Sequence, residues 1–390
     1  MKNFNFVSPT KIIFGPEKEK EVGQILKYYK ANKVLVIIGK NSVIKSGLLE
    51  KVVVSLRQAG LEYEILRGVR ANPTFELVEE GLKLVREHKL DYLLAVGGGS
   101  VIDTAKCIAV NFYNTGNIKD YNLHLSEPKQ ALPVGVILTI SAAGSELSNS
   151  CVIQDDVTEM KCGFNSDLVR PQFVIENPEL TYSLPKEQIA YGVVDILMHT
   201  LERYFCKSDS FELADEFAVG LIKNVLEVGS KVYQDPTNYI YQSDSMLASS
   251  LSHNGLTSIG KQYNMPVHAL EHPISGKFSN IAHGLGLAIL FPAWCRYYYK
   301  YDIEKFALLG ERVFDIYSGD KTQDAISTID AFQEYFISLG LPSKLSQVGI
   351  SKEDVEGFVN KVTNNGTKTV YHHTKPINDE VAREIYYSCL

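Results

Sequence analysis

The chain has 390 residues and a formal net charge of −7, with 45% hydrophobic and 22% charged residues. That is ordinary globular composition at a length that suits two domains, and an acidic balance without a basic stripe excludes a nucleic-acid partner. No apolar run reaches the ~18 residues of a membrane span, the N-terminal MKNFNF lacks an apolar signal region, and six scattered cysteines with no CxxC pair fit a reduced, cytoplasmic protein.

Up to about residue 180, β-rich runs alternate with helical patterns. KVLVII (33–38), DYLLAV (91–96) and LPVGVILTI (132–140) are apolar enough for strands buried on both faces. FELVEEGLKLVREH (75–88) repeats its apolar residues at helical spacing. The alternation predicts an α/β domain at 1–180 with a doubly wound parallel sheet. From Leu184 the strand signal fades, and helical patterns at 186–205, 210–232 and 325–339 predict an all-α domain at 181–390.

Gly97-Gly98-Gly99-Ser100 follows the strand ending at Val96 and opens a helix near Val101. Glycines admit close backbone approach, and a helix start attracts anions, so the turn suits a phosphate. Ser100 and Asp103 match an S-x-x-D cap. The segment is not G-x-G-x-x-G, so the usual dinucleotide fingerprint is absent, and a tight strand-to-helix turn is the plain alternative.

Asp195 and His199, four apart in YGVVDILMHTLERY (191–204), share one helix face. His268, His272 and His283 follow, three of nine histidines within sixteen residues. One carboxylate with imidazoles suits a divalent transition metal such as Fe²⁺, Zn²⁺ or Ni²⁺. Any one of these histidines alone would read as a core or surface residue, but several polar groups on apolar helices need a compensating partner.

These segments, from PTKIIFG (9–15) through NPT (72–74), GGGSVID (97–103), GSE (144–146) and GVVD…H (192–199) to HALEHP…AHG (268–284), resemble the iron-containing (group III) alcohol dehydrogenases. The branch they resemble is that of butanol dehydrogenases and broad aldehyde reductases. The resemblance implies a dehydroquinate synthase-like nucleotide-binding domain and a helical domain, with metal and nicotinamide in the cleft between them. It implies metal ligation by Asp195, His199, His268 and His283, with Fe²⁺ favoured over Zn²⁺ or Ni²⁺. His272 is implied near the substrate, where an imidazole can relay a proton. Gly98, Gly99, Ser100, Asp103, Thr139, Ser148, Lys161 and Tyr182 are implied as cofactor contacts, and the assembly as a homodimer. Two positions depart from the pattern: Ala143 stands where a Thr is common, and Asn177 where an Asp is common.

Cofactor choice is read at the end of the second strand, where NAD sites place an acid on the ribose hydroxyls. Here Gly39 stands where NAD-preferring members of the resembled family tend to carry Asp, and no acid appears before Glu50. Asn41 and Ser42 can donate hydrogen bonds and Lys45 or Lys40 can supply charge, as a 2′-phosphate requires. NADP(H) is therefore expected over NAD(H), with aldehydes and primary alcohols as substrates.

Two other readings stand beside this one. A polyol dehydrogenase or sugar-phosphate cyclase would share the two-domain plan. A zinc peptidase would use His268-Ala269-Leu270-Glu271-His272 as H-x-x-E-H with Glu271 as base. Against the peptidase, Pro273 is expected to break the helix after His272, and the glycine turn, Asp195 and His199 go unused. On the reductase reading Glu271 is a plain helix residue, and Glu271→Gln is expected to keep most activity.

Overall fold

A computed structural model describes residues 3–207, 212–262 and 264–390. Contacts gather the chain into two compact units. One consists of Val7–Leu184 with Thr237–Asn254, and the other takes the remaining described residues. The sequence reading divides the chain after 180. The units instead part after Leu184, and Thr237–Asn254 goes with the first unit.

That first unit is built on a six-stranded sheet of β1 (Lys11–Phe14), β2 (Lys33–Gly39), β3 (Glu62–Val69), β4 (Tyr92–Gly97), β5 (Val134–Leu138) and β8 (Phe173–Glu176). The order is β1-β8-β5-β4-β2-β3 and every pairing is parallel. Period-two side-chain alternation feeds two cores. Leu35, Ile37, Leu93 and Ala95 pack with residues of helices Phe75–His88 and Gly99–Asn111. Val34, Val36, Ile38, Leu94 and Val96 pack with residues of helices Val22–Tyr28 and Leu48–Gln58. Both faces are covered, which is why these strands read as continuous apolar runs. An antiparallel hairpin of β6 (Ser150–Asp155) and β7 (Met160–Asn165) adds to the expected elements.

In the second unit the helices include Lys186–Tyr204, Glu212–Gln234, Pro266–Lys277, His283–Tyr298 and Lys321–Ser338. Of the helix expected over 210–232, Ser210 and Phe211 lie outside the described residues. The helix expected from Ala325 starts at Lys321, because Asp320 accepts from the N–H groups of Thr322 and Gln323. One expectation is overturned: the Pro266–Lys277 helix runs through Pro273. Pro273 and Ile274 are buried, and the Tyr386 hydroxyl donates to the Leu270 carbonyl (2.5 Å), so tertiary packing holds the turn that proline weakens. No helix among the described residues is long and apolar enough to cross a membrane.

Candidate functional site

The Lys186–Tyr204 helix presents Asp195 and His199 one turn apart, with Asp195 Oδ1 3.6 Å from His199 Nδ1. The Pro266–Lys277 helix brings His268 Nε2 to 3.6 Å from the same oxygen. Donor atoms of these three buried residues all lie within 4.8 Å of one another. His283 opens the next helix, its ring centroid 5.1 Å from that of His268. His272 lies 5.7 Å from His283 and 6.5 Å from His268, centroid to centroid. The structure therefore gathers all five residues singled out in this unit. With Glu271 they fall into two groups, Asp195–His199–His268 and Glu271–His272–His283.

Asp195 Oδ1 and His268 Nε2 are buried and have no hydrogen-bond partner. A separation of 3.6 Å is too long for a hydrogen bond, and orphaned buried polar atoms are costly. It is roughly the gap left between two ligands each ~2.1 Å from one cation. The three gathered donors, one carboxylate and two imidazoles, are of the kind a divalent transition metal accepts. The residues fit the group.

Two carboxylates complete the arrangement, and neither was expected in this role. Glu202 and Glu271 have side chains with no exposure. Glu202 Oε2 pairs with His268 Nδ1, and Glu271 Oε2 pairs with His283 Nδ1. Glu202 Oε1 also accepts from the Val267 N–H (2.5 Å). A carboxylate only accepts, so each partner imidazole carries its proton on Nδ1 and turns Nε2 outward as a ligand atom. Burial works against protonation of His268, but Glu202 and then Asp195 outweigh it and lift the imidazole to about 9. A cation at Nε2 would compete with that proton. The Glu202 signal was present in sequence, since 195, 199 and 202 follow the i, i+4, i+7 face of one helix. The placement of Glu271 corrects its reading as a plain helix residue.

In the sheet unit, β4 ends at Gly97 and the Gly99–Asn111 helix follows at once. A Cβ at Gly98 would lie 2.3 Å from Ile140 Cγ2, so any larger residue there would have to displace Ile140. The expected S-x-x-D cap does not form. Gly98 is the N-cap, no side chain caps the helix, and its first turn holds no acid. Asp103 is drawn elsewhere: one oxygen accepts from Ser145 Oγ (2.6 Å) and the other from the Val152 N–H (2.9 Å). An uncapped helix start behind glycines is a setting for a phosphate.

Thr139 joins this turn, its N–H donating to the Gly97 carbonyl (3.2 Å). Gly39 ends β2, which pairs in parallel with β4, so both turns lie at one edge of the sheet. Asn41, Ser42 and Lys45 are exposed there in the short helix Ser42–Lys45 and its N-cap. Lys161 lies on β7, and Tyr182 caps the Pro178–Thr181 turn, both half-buried. Ser148 is fully buried, its Oγ accepting from the Ser150 N–H (2.9 Å).

An uncapped helix start behind glycines and a buried set of nitrogen and oxygen donors are parts that a metal- and dinucleotide-dependent oxidoreductase would use. Residues 9–178 match the family model for iron-containing alcohol dehydrogenase, and residues 189–389 match that family's C-terminal model. The chain belongs to the iron-containing alcohol dehydrogenase family. It is 36% identical to NADH-dependent butanol dehydrogenase A of Clostridium acetobutylicum, with 99% of each chain covered. It is 34% identical to NADPH-dependent aldehyde reductase YqhD of Escherichia coli, again over 99% of each chain. The solved structure of NADH-dependent butanol dehydrogenase A from Thermotoga maritima superposes with a TM-score of 0.95 at 32% identity, covering 100% of this chain and 99% of that one.

Proposed function

We propose that this chain interconverts aldehydes and primary alcohols by hydride transfer with NADP(H), with one divalent cation held by Asp195, His199, His268 and His283. Fe²⁺ is the cation the family suggests, with Zn²⁺ and Ni²⁺ as alternatives that metal analysis decides. The observation that carries the reading is the buried pair Asp195 Oδ1 and His268 Nε2, orphaned 3.6 Å apart while Glu202 and Glu271 hold the ring tautomers. When bound, the cation supplies Lewis-acid polarisation of the aldehyde oxygen and the nicotinamide supplies hydride. Glu202 and Glu271 fix the directions of His268 and His283. His272, half-buried beside them, moves the proton that the product oxygen needs through a ring nitrogen. Gly98, Gly99 and Ser100 receive the pyrophosphate, and Asp103 holds Ser145 and β6 in place behind them. Six buried free cysteines support a reducing, cytoplasmic setting, and the resemblance supports a homodimer.

The test is turnover of a panel of short and branched aldehydes, alcohols, polyols and sugar phosphates with both dinucleotides on metal-analysed protein. Turnover of polyols or sugar phosphates without aldehyde reduction would replace this reading with the related one.

Cofactor preference rests on Gly39, where a Cβ would meet only the Val69 carbonyl at an ordinary 3.6 Å. Gly39→Asp therefore fits without strain, and what it introduces is charge. The variant is expected to erode NADPH preference by about 1–3 kcal/mol through repulsion of the 2′-phosphate. The measurement is the ratio of kcat/KM for NADPH and NADH. Relatives of both preferences are known by name, so a wild-type ratio at or below one would overturn the assignment.

A further inference from the structure

The helix Tyr239–Ser252 lies well over a hundred residues beyond the glycine turn, yet it and its C-cap His253 grip the loop between Thr139 and Ser148 at four points. Ser249 Oγ accepts from the Ala142 N–H (2.9 Å). His253 Nδ1 lies 2.8 Å from the Ala143 carbonyl, and because a carbonyl only accepts, the imidazole donates. Gly144, at φ +63°, runs so close that a Cβ would stand 2.5 Å from the Ser249 carbonyl oxygen. Ser250 Oγ lies 2.7 Å from both Glu146 Oε1 and Glu176 Oε1. One hydroxyl proton cannot serve two carboxylates, so the cluster holds together when one acid keeps its own proton. Burial, and then Glu146, push Glu176 up to about 8.

On its other side the same loop touches the glycine turn. Ile140 fills the space above Gly98, and a Cβ at Gly99 would lie 3.1 Å from Ala143 Cβ. The loop backbone thus sets the room left over the start of the Gly99–Asn111 helix, and Tyr239–Ser252 with His253 sets the loop backbone.

We propose that Ser249 and His253 are positioning residues for the dinucleotide, acting through the backbone of residues 142–144. The inference rests on the reading of the glycine turn as the cofactor site. Its consequence is that a segment outside the strand-and-helix alternation of the sheet helps to set cofactor affinity.

The experiment is calorimetric titration of metal-loaded protein with NADPH and NADH, for wild type, Ser249→Ala, His253→Ala and His253→Asn. Loss of one hydrogen bond to the loop is expected to weaken dinucleotide binding about tenfold in both alanine variants. His253→Asn, whose amide nitrogen sits where the imidazole Nδ1 does and still donates, should recover most of it. The cofactor KM should rise while the aldehyde KM and metal content hold, a split that general destabilisation does not produce. Gly144→Ala, which pushes on the Ser249 carbonyl without removing a donor, should weaken binding in the same way. Should Ser249→Ala fail to fold, the two His253 variants decide. Unchanged binding in His253→Ala, or a loss in His253→Asn equal to that in His253→Ala, overturns the proposal. Wild type that binds neither dinucleotide overturns the cofactor reading and this inference with it.

Discussion

Replacing Asp195 with Ala is expected to remove measurable turnover and to drop bound divalent metal well below one per chain. Asp195 supplies the single carboxylate among the three buried donors, and its Oδ1 lies 3.6 Å from both His199 Nδ1 and His268 Nε2. Loss of Lewis-acid stabilisation worth several kcal/mol, at about 1.4 kcal/mol per tenfold, puts the fall in kcat at about 10³ or more. His268→Ala should match it in activity and metal but not in stability. That change takes the imidazole from Glu202, a carboxylate with no exposure, and leaves it with backbone N–H partners alone. Stranding a buried charge costs about 3 kcal/mol or more, whereas Asp195→Ala strands none. Metal analysis, initial rates of aldehyde reduction and thermal unfolding of both variants separate the two effects. Full activity in thoroughly chelated protein would sink the metal requirement.

The parts legible in the sequence are those with a period. Val34–Ile38 and Leu93–Val96 read as strands because both faces are buried, and Phe75–His88 read as a helix because one stripe is. Asp195, His199 and His268 stood out because ionisable groups on apolar helices need a reason. The parts that were hidden depend on contacts between segments with no shared period. Glu271 meets His283 across the break at residues 278–282, and the H-x-x-E-H spacing pointed to a different chemistry for it. Ser100 and Asp103 had the spacing of a cap, but Ser145 and the Val152 N–H compete for the Asp103 carboxylate and win it. The helix Tyr239–Ser252 buries Ser245, Ser249, Ser250 and Ser252. A serine face carries no apolar signal, so its attachment to the sheet unit could not be read from hydrophobic periodicity. Pro273 shows the limit of local rules: a buried helix turn survives a residue that would end an exposed one.

Glu271→Gln now carries an expectation opposite to the one its position in a helix suggests. The side chain has no exposure and pairs with His283 Nδ1, so removing its charge lowers the basicity of Nε2 without changing volume. A glutamine oxygen can still accept from Nδ1, which keeps the ring oriented. The loss is that of a supporting anion, about 10–100-fold in metal affinity with turnover falling in step. Glu202→Gln should behave likewise through His268. His272→Ala is expected to do something different, lowering kcat while the metal stays bound, because its role is to move a proton rather than to hold the cation. The two patterns are read by titrating chelator against each holoenzyme and by rates at saturating metal. Excess metal should restore Glu271→Gln substantially and His272→Ala not at all. If His272→Ala instead sheds metal as completely as His268→Ala, then His272 is a ligand. The group Glu271–His272–His283 would then have to be read as part of the coordination sphere.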